Sequence, residues 1–355
     1  MRLNINSNSA TYDIDYQKGV EQFNALIHLE NLDQRIAETD SILEPFEETL
    51  DIALKEAFTE EIASLDSHLF LQRVLYRINR LKLFWYDDLK NYKNEASPYL
   101  ASVRSRIDSA WQDWELSHFD IESLQTLPVK EALQNRVDED LSPDPSEAGL
   151  YFRDEMTEEG YHQFLCIASL DGLVEASQLS RMLGGVGNEV QSMLTKILLE
   201  EYGGGRLARK HSSFFSSMMK KLGMNPEPEA YLDLVPWEVL VNTNHSFVLC
   251  ELKQNFLRYI GGLLYTEISV PAAFKSYSLA GERLGLSKEA TGYWDLHIKE
   301  DLRHGRWMLD DVAFPLVDKY GENAWEIILG YDQQRFISAR ASQAIVQSLR
   351  EMDTH

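Results

Sequence analysis

The stretch HIKEDLRH, residues 297–304, sets His297, Asp301 and His304 at i, i+4 and i+7. At about 100° per residue a helix places these positions at about 0°, 40° and −20°, so the three side chains share one narrow arc. Imidazole nitrogen with carboxylate oxygen is a donor set that suits iron, zinc or manganese. A solvated helix face carries the same residue types, and spacing alone does not separate the two. The flanks help to do so. Trp294, Leu296 and Leu302 precede or interleave with the triplet, and Trp307 and Met308 follow it. Met308 continues the arc one turn beyond His304, which predicts a face turned inward. Buried histidines and a buried carboxylate need partners, and a metal satisfies all three together.

Outward from this stretch the pattern stays helical. Residues 1–15 read as a polar arm, and helical spacing runs from Tyr16 to Asp120, including a helix over Tyr99–Ser117. VLYRINRLKLFWY, residues 74–86, is a core or dimer-facing stripe. VDEDLSPDPSEAG, residues 137–149, holds two prolines in a charge run and is the expected linker. Beyond it helices are predicted over Thr157–Leu183, Asn188–Tyr202 and Ala208–Leu222. An apolar stretch then runs from His245 to Leu284, broken near Pro271. Further helices follow over Ser287–Val317 and Ala324–Met352. The fold class is all-α: a helical accessory domain over residues 1–140 and a bundle of five to seven helices over residues 150–355.

With 355 residues, 44% of them apolar, the chain has material for two domains and a sizeable core. A net charge of −23 argues against nucleic acid or an anionic membrane surface as partner. No run of about 20 apolar residues exists, so no membrane span is expected. Cys166 and Cys250 lie in apolar surroundings and make no disulfide framework, which points to a reducing cytoplasm. The opening MRLNINSNSATYDIDYQ has no apolar core of a signal peptide.

Three further places offer ligands. In LLEEYGGGRLARKH, residues 198–211, Glu201 ends one helix and His211 begins the next. Glu200 and Glu201 are adjacent, so only one can point into a core, and the glycines let the two helices turn toward one point. Glu267 is the only charged residue between Arg258 and Lys275. A carboxylate in so apolar a stretch costs several kcal/mol unless it is paired or bound to a metal. Glu175 follows Leu173 and Val174 on an apolar helix face. No phosphate-binding glycine loop after a strand, no G-x-S-x-G elbow and no C-x-x-C pair competes with this set.

Glu201 and His211 across a glycine break, Glu267 before a proline, and H-x-x-x-D-x-x-H resemble the haem-oxygenase-like diiron oxidases and oxygenases, over roughly residues 150–352. The closest likeness is to the N-oxygenating branch, in which a helical dimerisation domain precedes the iron domain and an extra carboxylate stands where Glu175 falls. A cupin domain found in that branch has no counterpart here, so no step that depends on it is expected. The resemblance implies a haem-oxygenase-like bundle. It implies two Fe(II) ions held by Glu201, His211, Glu267, His297, Asp301 and His304, with Glu175 as a mobile, catalytic seventh ligand. It also implies O2 as co-substrate, an external electron donor, a homodimer and a role in specialised biosynthesis. Three functions are weighed. The first is N-oxygenation of an amine or guanidine nitrogen of an amino-acid-like small molecule. The second is desaturation, C–C cleavage or oxidative decarboxylation of an amino or fatty acid on the same scaffold. The third is a non-enzymatic helical interaction protein. An amino-acid substrate would need a carboxylate clamp, for which Arg206, Arg209, Arg303 and Arg306 are the nearby arginines.

Overall fold

The computed structural model describes residues 14–59, 64–83, 88–185 and 187–353. Among them there is no β-strand, and the all-α class holds. They fall into two compact units. The first takes in the residues up to Ile78 together with Asp88–Trp114; the second takes in the short stretch from Asn79 and everything from Glu115 onward.

The first unit is built on α1 (Tyr16–Ile27), α2 (Leu32–Glu38), α3 (Glu44–Ala57), most of α4 (Leu65–Leu83) and most of α5 (Pro98–Leu116). Asp15 caps α1 by accepting from the Lys18 amide, which takes up one of the free N–H groups of the first turn. Phe23, Phe46 and Phe70, one from each of α1, α3 and α4, meet with ring centroids 5.1 and 6.1 Å apart and form the centre of this core. Val74, Leu75, Tyr76 and Ile78 are buried, so that part of the aromatic-rich stripe is core. Its end, Phe84 to Tyr86, and most of the polar arm lie outside the described residues.

The second unit contains α6 (Ile121–Thr126), α7 (Val129–Asp140), α8 (Glu147–Leu150), α9 (Glu158–Gly172), α10 (Ser177–Met182), α11 (Glu189–Glu201) and α12 (His211–Lys221). It continues with α13 (Trp237–Glu251), α14 (Phe256–Arg283), α15 (Gly292–Trp307), α16 (Phe314–Tyr320) and α17 (Trp325–Asp353). The stretch 137–149 is not a boundary between the units. Leu133 and Val137 of α7 are buried in the second unit's core. Arg136 pairs with Asp332 at 2.6 Å, and the Tyr331 hydroxyl donates to Asp140 at 2.9 Å. Pro143 and Pro145 mark an exposed turn between α7 and α8.

α14 packs along both α15 and α17. It runs through Pro271, where a break was expected; the chain breaks instead at Leu252–Asn255. A proline inside a helix removes one amide and costs about 3 kcal/mol in isolation. Here burial of α14 against two neighbouring helices offsets that cost. The carbonyl that loses its partner is that of Glu267, four residues back. On α15, Tyr293 and Trp294 belong to one apolar core with Phe164 and Phe215, while Met308 and Leu309, just beyond its end, belong to another with Ile260, Leu264 and Ile328. The buried face of the turns from His297 to His304 thus lies between two apolar cores, while Lys299, Leu302 and Arg303 stay exposed.

Candidate metal centre

Each candidate ligand comes to the centre for a local reason. α11 stops at Glu201 because Gly203, Gly204 and Gly205 all adopt positive φ, 61°, 64° and 77°. The reversal is tight: a Cβ on Gly203 would lie 2.4 Å from the Arg209 carbonyl carbon. α12 therefore starts directly over the end of α11, and His211 Nδ1 stands 2.8 Å from Glu201 Oε2. Gly305 lets α15 approach α14 at the level of Glu267, since a Cβ there would lie 3.2 Å from the Glu267 carbonyl oxygen and 2.7 Å from Ile268 Cδ1.

Glu175 differs from expectation in its setting. The single helix expected over Thr157–Leu183 is broken at Leu173–Ala176, and Glu175 sits in that break, with Ala176 at φ 61°. A non-glycine residue in the left-handed region is held there by its surroundings. The Tyr293 hydroxyl donates a short hydrogen bond to Glu175 Oε2.

The side chains form two adjacent clusters. In the first, one donor atom from each of Glu175, Glu201, His211 and His297 lies within 4.8 Å of the others; in the second, Glu201, Glu267 and His304 do the same. His211 Nδ1 and His297 Nε2 are 3.1 Å apart, and His297 Nε2 is 3.6 Å from Glu175 Oε2. His304 Nδ1 is 3.3 Å from Glu201 Oε1, 3.3 Å from Glu267 Oε2 and 3.7 Å from Asp301 Oδ1. Glu201 serves both clusters, one with each oxygen. All seven predicted residues are brought together, and all seven are buried, with His304 at 0% exposure.

Charge is badly balanced in this pocket as it stands. Burial, together with Glu201, raises the Glu175 carboxyl well above the usual range. Burial and the carboxylates of Glu267 and Glu201 do the same to Asp301. Burial also raises Glu267, against His304. Burial opposes the charge of His304, yet Glu201, Glu267 and Glu200 outweigh it and push its pKa up to about 11. Burial and His211 lower His297 to about 4. Glu175 Oε1, Asp301 Oδ1 and His304 Nδ1 are buried without a hydrogen-bond partner. Buried polar atoms are rarely left so. Dications among these oxygens and nitrogens would satisfy the orphaned atoms and neutralise the crowded carboxylates, and the mixed N/O donor set is one that iron accepts.

Two further residues support the histidines. Glu200 Oε2 lies 2.9 Å from His304 Nε2 and is itself paired with Arg303 at 2.6 Å. The backbone carbonyl of Tyr293 lies 2.9 Å from His297 Nδ1. Each contact offers an acceptor to the ring nitrogen that faces away from the centre, so that with a metal bound the proton would sit there and the other nitrogen would be free to ligate. Neither residue was picked out from sequence. Tyr293 stands one turn before His297 on the same arc, a signal that extending the i, i+4 spacing backwards would have found. Glu200 was set aside as the glutamate pointing away from the core; it does point away from Glu201's position, onto the far side of His304. Of the nearby acids, Asp295 accepts from Ser278 Oγ and Glu300 pairs with Arg303, so neither faces the clusters.

Beside the clusters lies a cavity of about 200 Å³. None of Arg206, Arg209, Arg303 and Arg306 lines it, and all four are exposed. The arginine clamp weighed from sequence does not form at this cavity.

Residues 162–333 match the family described as iron-containing redox enzymes. That stretch carries all seven candidate ligands. Its bundle is all-α and haem-oxygenase-like, and its role is enzymatic and redox, which sets aside the reading of HIKEDLRH as the wet face of an interaction protein. A nitrosourea synthase from Streptomyces achromogenes subsp. streptozoticus is 31% identical over 169 residues, a stretch that is 47% of this chain and 36% of that protein. The chain thus covers about a third of the relative's length. No helix among the described residues is long and apolar enough to cross a membrane.

Proposed function

We propose that the chain is a non-haem diiron oxygenase that N-oxygenates an amine or guanidine nitrogen of a small molecule. The observation that carries this reading is the pair of adjacent clusters sharing Glu201, with Glu175 as an additional carboxylate. Likeness to a nitrosourea synthase favours nitrogen, rather than carbon, as the atom oxidised. Glu175, Glu201, His211 and His297 would hold one Fe(II); Glu201, Glu267, Asp301 and His304 would hold the other. The iron pair, with O2 as co-substrate and electrons from an external donor, would supply oxygen transfer to the substrate.

The chain's own residues supply the rest. Glu201 spans the two positions with its two oxygens. Glu200 and the Tyr293 carbonyl keep His304 and His297 in the tautomers that present a lone pair to the centre. Glu175, on a turn and tethered by the Tyr293 hydroxyl, is the mobile ligand: leaving that hydroxyl, it can turn toward the first cluster as charge there changes. The two apolar cores that flank the site exclude water from it. The N-terminal unit is accessory in this reading, the assembly a homodimer and the setting cytoplasmic, in keeping with two buried free thiols.

Metal counting tests the proposal. Anaerobic loading should give about two irons per chain. Glu201→Ala should lose both, His297→Ala and His304→Ala about one each. Retention of two irons by His297→Ala or Asp301→Ala would sink the assignment. Screening the loaded protein for O2 consumption against amines, guanidines, amino acids and fatty acids separates N-oxygenation from oxidation at carbon.

A further inference from the structure

Resting on the metal assignment made above, we propose that the cavity is selective for a small cationic amine or guanidine that carries no carboxylate, with Asp171 holding the cationic nitrogen. Five carboxylates line the cavity: Asp171, Glu175, Glu201, Glu267 and Asp301. Among the described residues that line it there is no lysine or arginine. Four of the five acids belong to the ligand set. Two ferrous ions bring four positive charges and those four carboxylates four negative ones. Asp171 is left over, and its charge faces the cavity uncompensated.

Asp171 is the penultimate residue of α9, one turn before Glu175. It is exposed through the cavity, its side-chain partner is Gln178, and it acts electrostatically on Glu175, Tyr259 and Tyr293. That puts it close to the first cluster. A nitrogen held there stands next to the metal positions, where it is to be oxidised.

Elsewhere the lining joins apolar side chains such as Leu249, Leu263 and Phe274 to neutral polar ones, among them Asn242, Thr243 and Gln334. Gln334 Nε2 donates to Asn242 Oδ1 at 2.6 Å and to Ser338 Oγ at 3.0 Å. Both its N–H groups are spent, so what Gln334 offers a ligand is its carbonyl oxygen, an acceptor. An acceptor suits a hydroxyl or N–H on the ligand and repels a carboxylate. A free α-carboxylate would therefore enter a cavity lined by five acids, with no lysine or arginine to receive it and the iron charge already balanced by the four ligand carboxylates, which is discrimination by repulsion as well as by attraction.

Agmatine and L-arginine make the test, since they share the guanidinium and its chain and differ by the carboxylate. Each is titrated calorimetrically into the anaerobic Fe(II)-loaded full chain, where no turnover occurs. Agmatine is expected to bind about tenfold or more tighter than L-arginine, and Asp171→Asn to weaken agmatine about tenfold with iron content unchanged. L-arginine binding as tightly as agmatine, absence of binding by both, or full agmatine affinity in Asp171→Asn would each overturn the proposal. The comparison on the wild-type chain does not depend on the variant folding. Iron analysis of the same samples is read separately, so a failed metal assignment is distinguishable from a failed charge preference.

Discussion

Tyr293 touches the site three ways: its hydroxyl donates to Glu175, its carbonyl meets His297 Nδ1, and its ring lies 4.3 Å from the His297 ring, centroid to centroid. Removing the hydroxyl alone leaves a buried carboxylate short of a donor. Tyr293→Phe should destabilise the metal-free protein by about 1–3 kcal/mol. With Fe(II) bound the loss should be smaller, because the metal then takes the place of the hydroxyl for Glu175. Denaturant melts with and without anaerobic Fe(II) read the difference, and equal losses in both would show that Glu175 does not move to the metal. HIKEDLRH shows how far a residue-level reading reaches. Its spacing announced an arc of three candidate ligands, and Met308 announced that the arc faced inward. It did not announce Glu200, because a residue's role on the far ring nitrogen depends on a helix a hundred positions away.

Helix crossings set the distances that the ligands require. At Gly305 an alanine would press on Ile268 Cδ1 and on the Glu267 carbonyl, whose helical partner Pro271 has already removed. Gly305→Ala should cost about 1–3 kcal/mol through overpacking and lower iron occupancy by displacing Glu267. Ile268→Val removes the clashing methyl, so the double variant should recover stability, as thermal melts of the single and double variants would show. α13 carries a different liability. Burial of His245, with Arg258 and Arg340 near it, lowers its pKa to about 3 from the ordinary 6.5. The folded protein keeps it neutral while the unfolded chain takes up a proton below pH 6.5. Its contribution to stability is complete above that value and is lost as pH falls from 6.5 toward 3, by up to about 1.4 kcal/mol per pH unit. His245→Gln should flatten that slope, and identical slopes for both proteins in denaturation at about pH 7 and pH 5 would count against it. Helix ends were partly legible: the glycines after Glu201 stopped α11 where expected. Pro271 misled because packing on two sides overrides a local breaker, and at the Glu175 break the one glycine, Gly172, ends α9 while the left-handed turn itself falls on Ala176.

For the whole molecule, metal binding to the folded state should add stability only where the ligands lie. Hydrogen exchange with and without anaerobic Fe(II) should slow in Leu173–Ala176 and along α15 and stay unchanged in α1–α3. Uniform protection, or none at the Glu175 turn, would speak against a mobile ligand recruited by the metal. The same measurement reports whether the second unit, whose main stretch runs from Glu115 and not from beyond the prolines at 143 and 145, responds as one body.

Periodicity and composition by themselves pointed to the all-α class, most helix starts and stops in the C-terminal half, the burial of both cysteines and the inward arc of His297, Asp301 and His304; Glu201, His211 and Glu267 stood out as candidates, and Glu175 came only with the family resemblance. These are local matters: a 3.6-residue repeat, a glycine stop, or a charge in an apolar run is visible within a few turns of chain. The tertiary structure alone decided that Glu201 divides its oxygens between two clusters, that Glu200 and the Tyr293 carbonyl meet the far ring nitrogens of His304 and His297, and that Asp171 faces the cavity while the four arginines do not. Those outcomes depend on how α9, α11, α12, α14 and α15 are rotated against one another. That rotation is fixed by packing between segments distant in sequence, which no single stretch encodes.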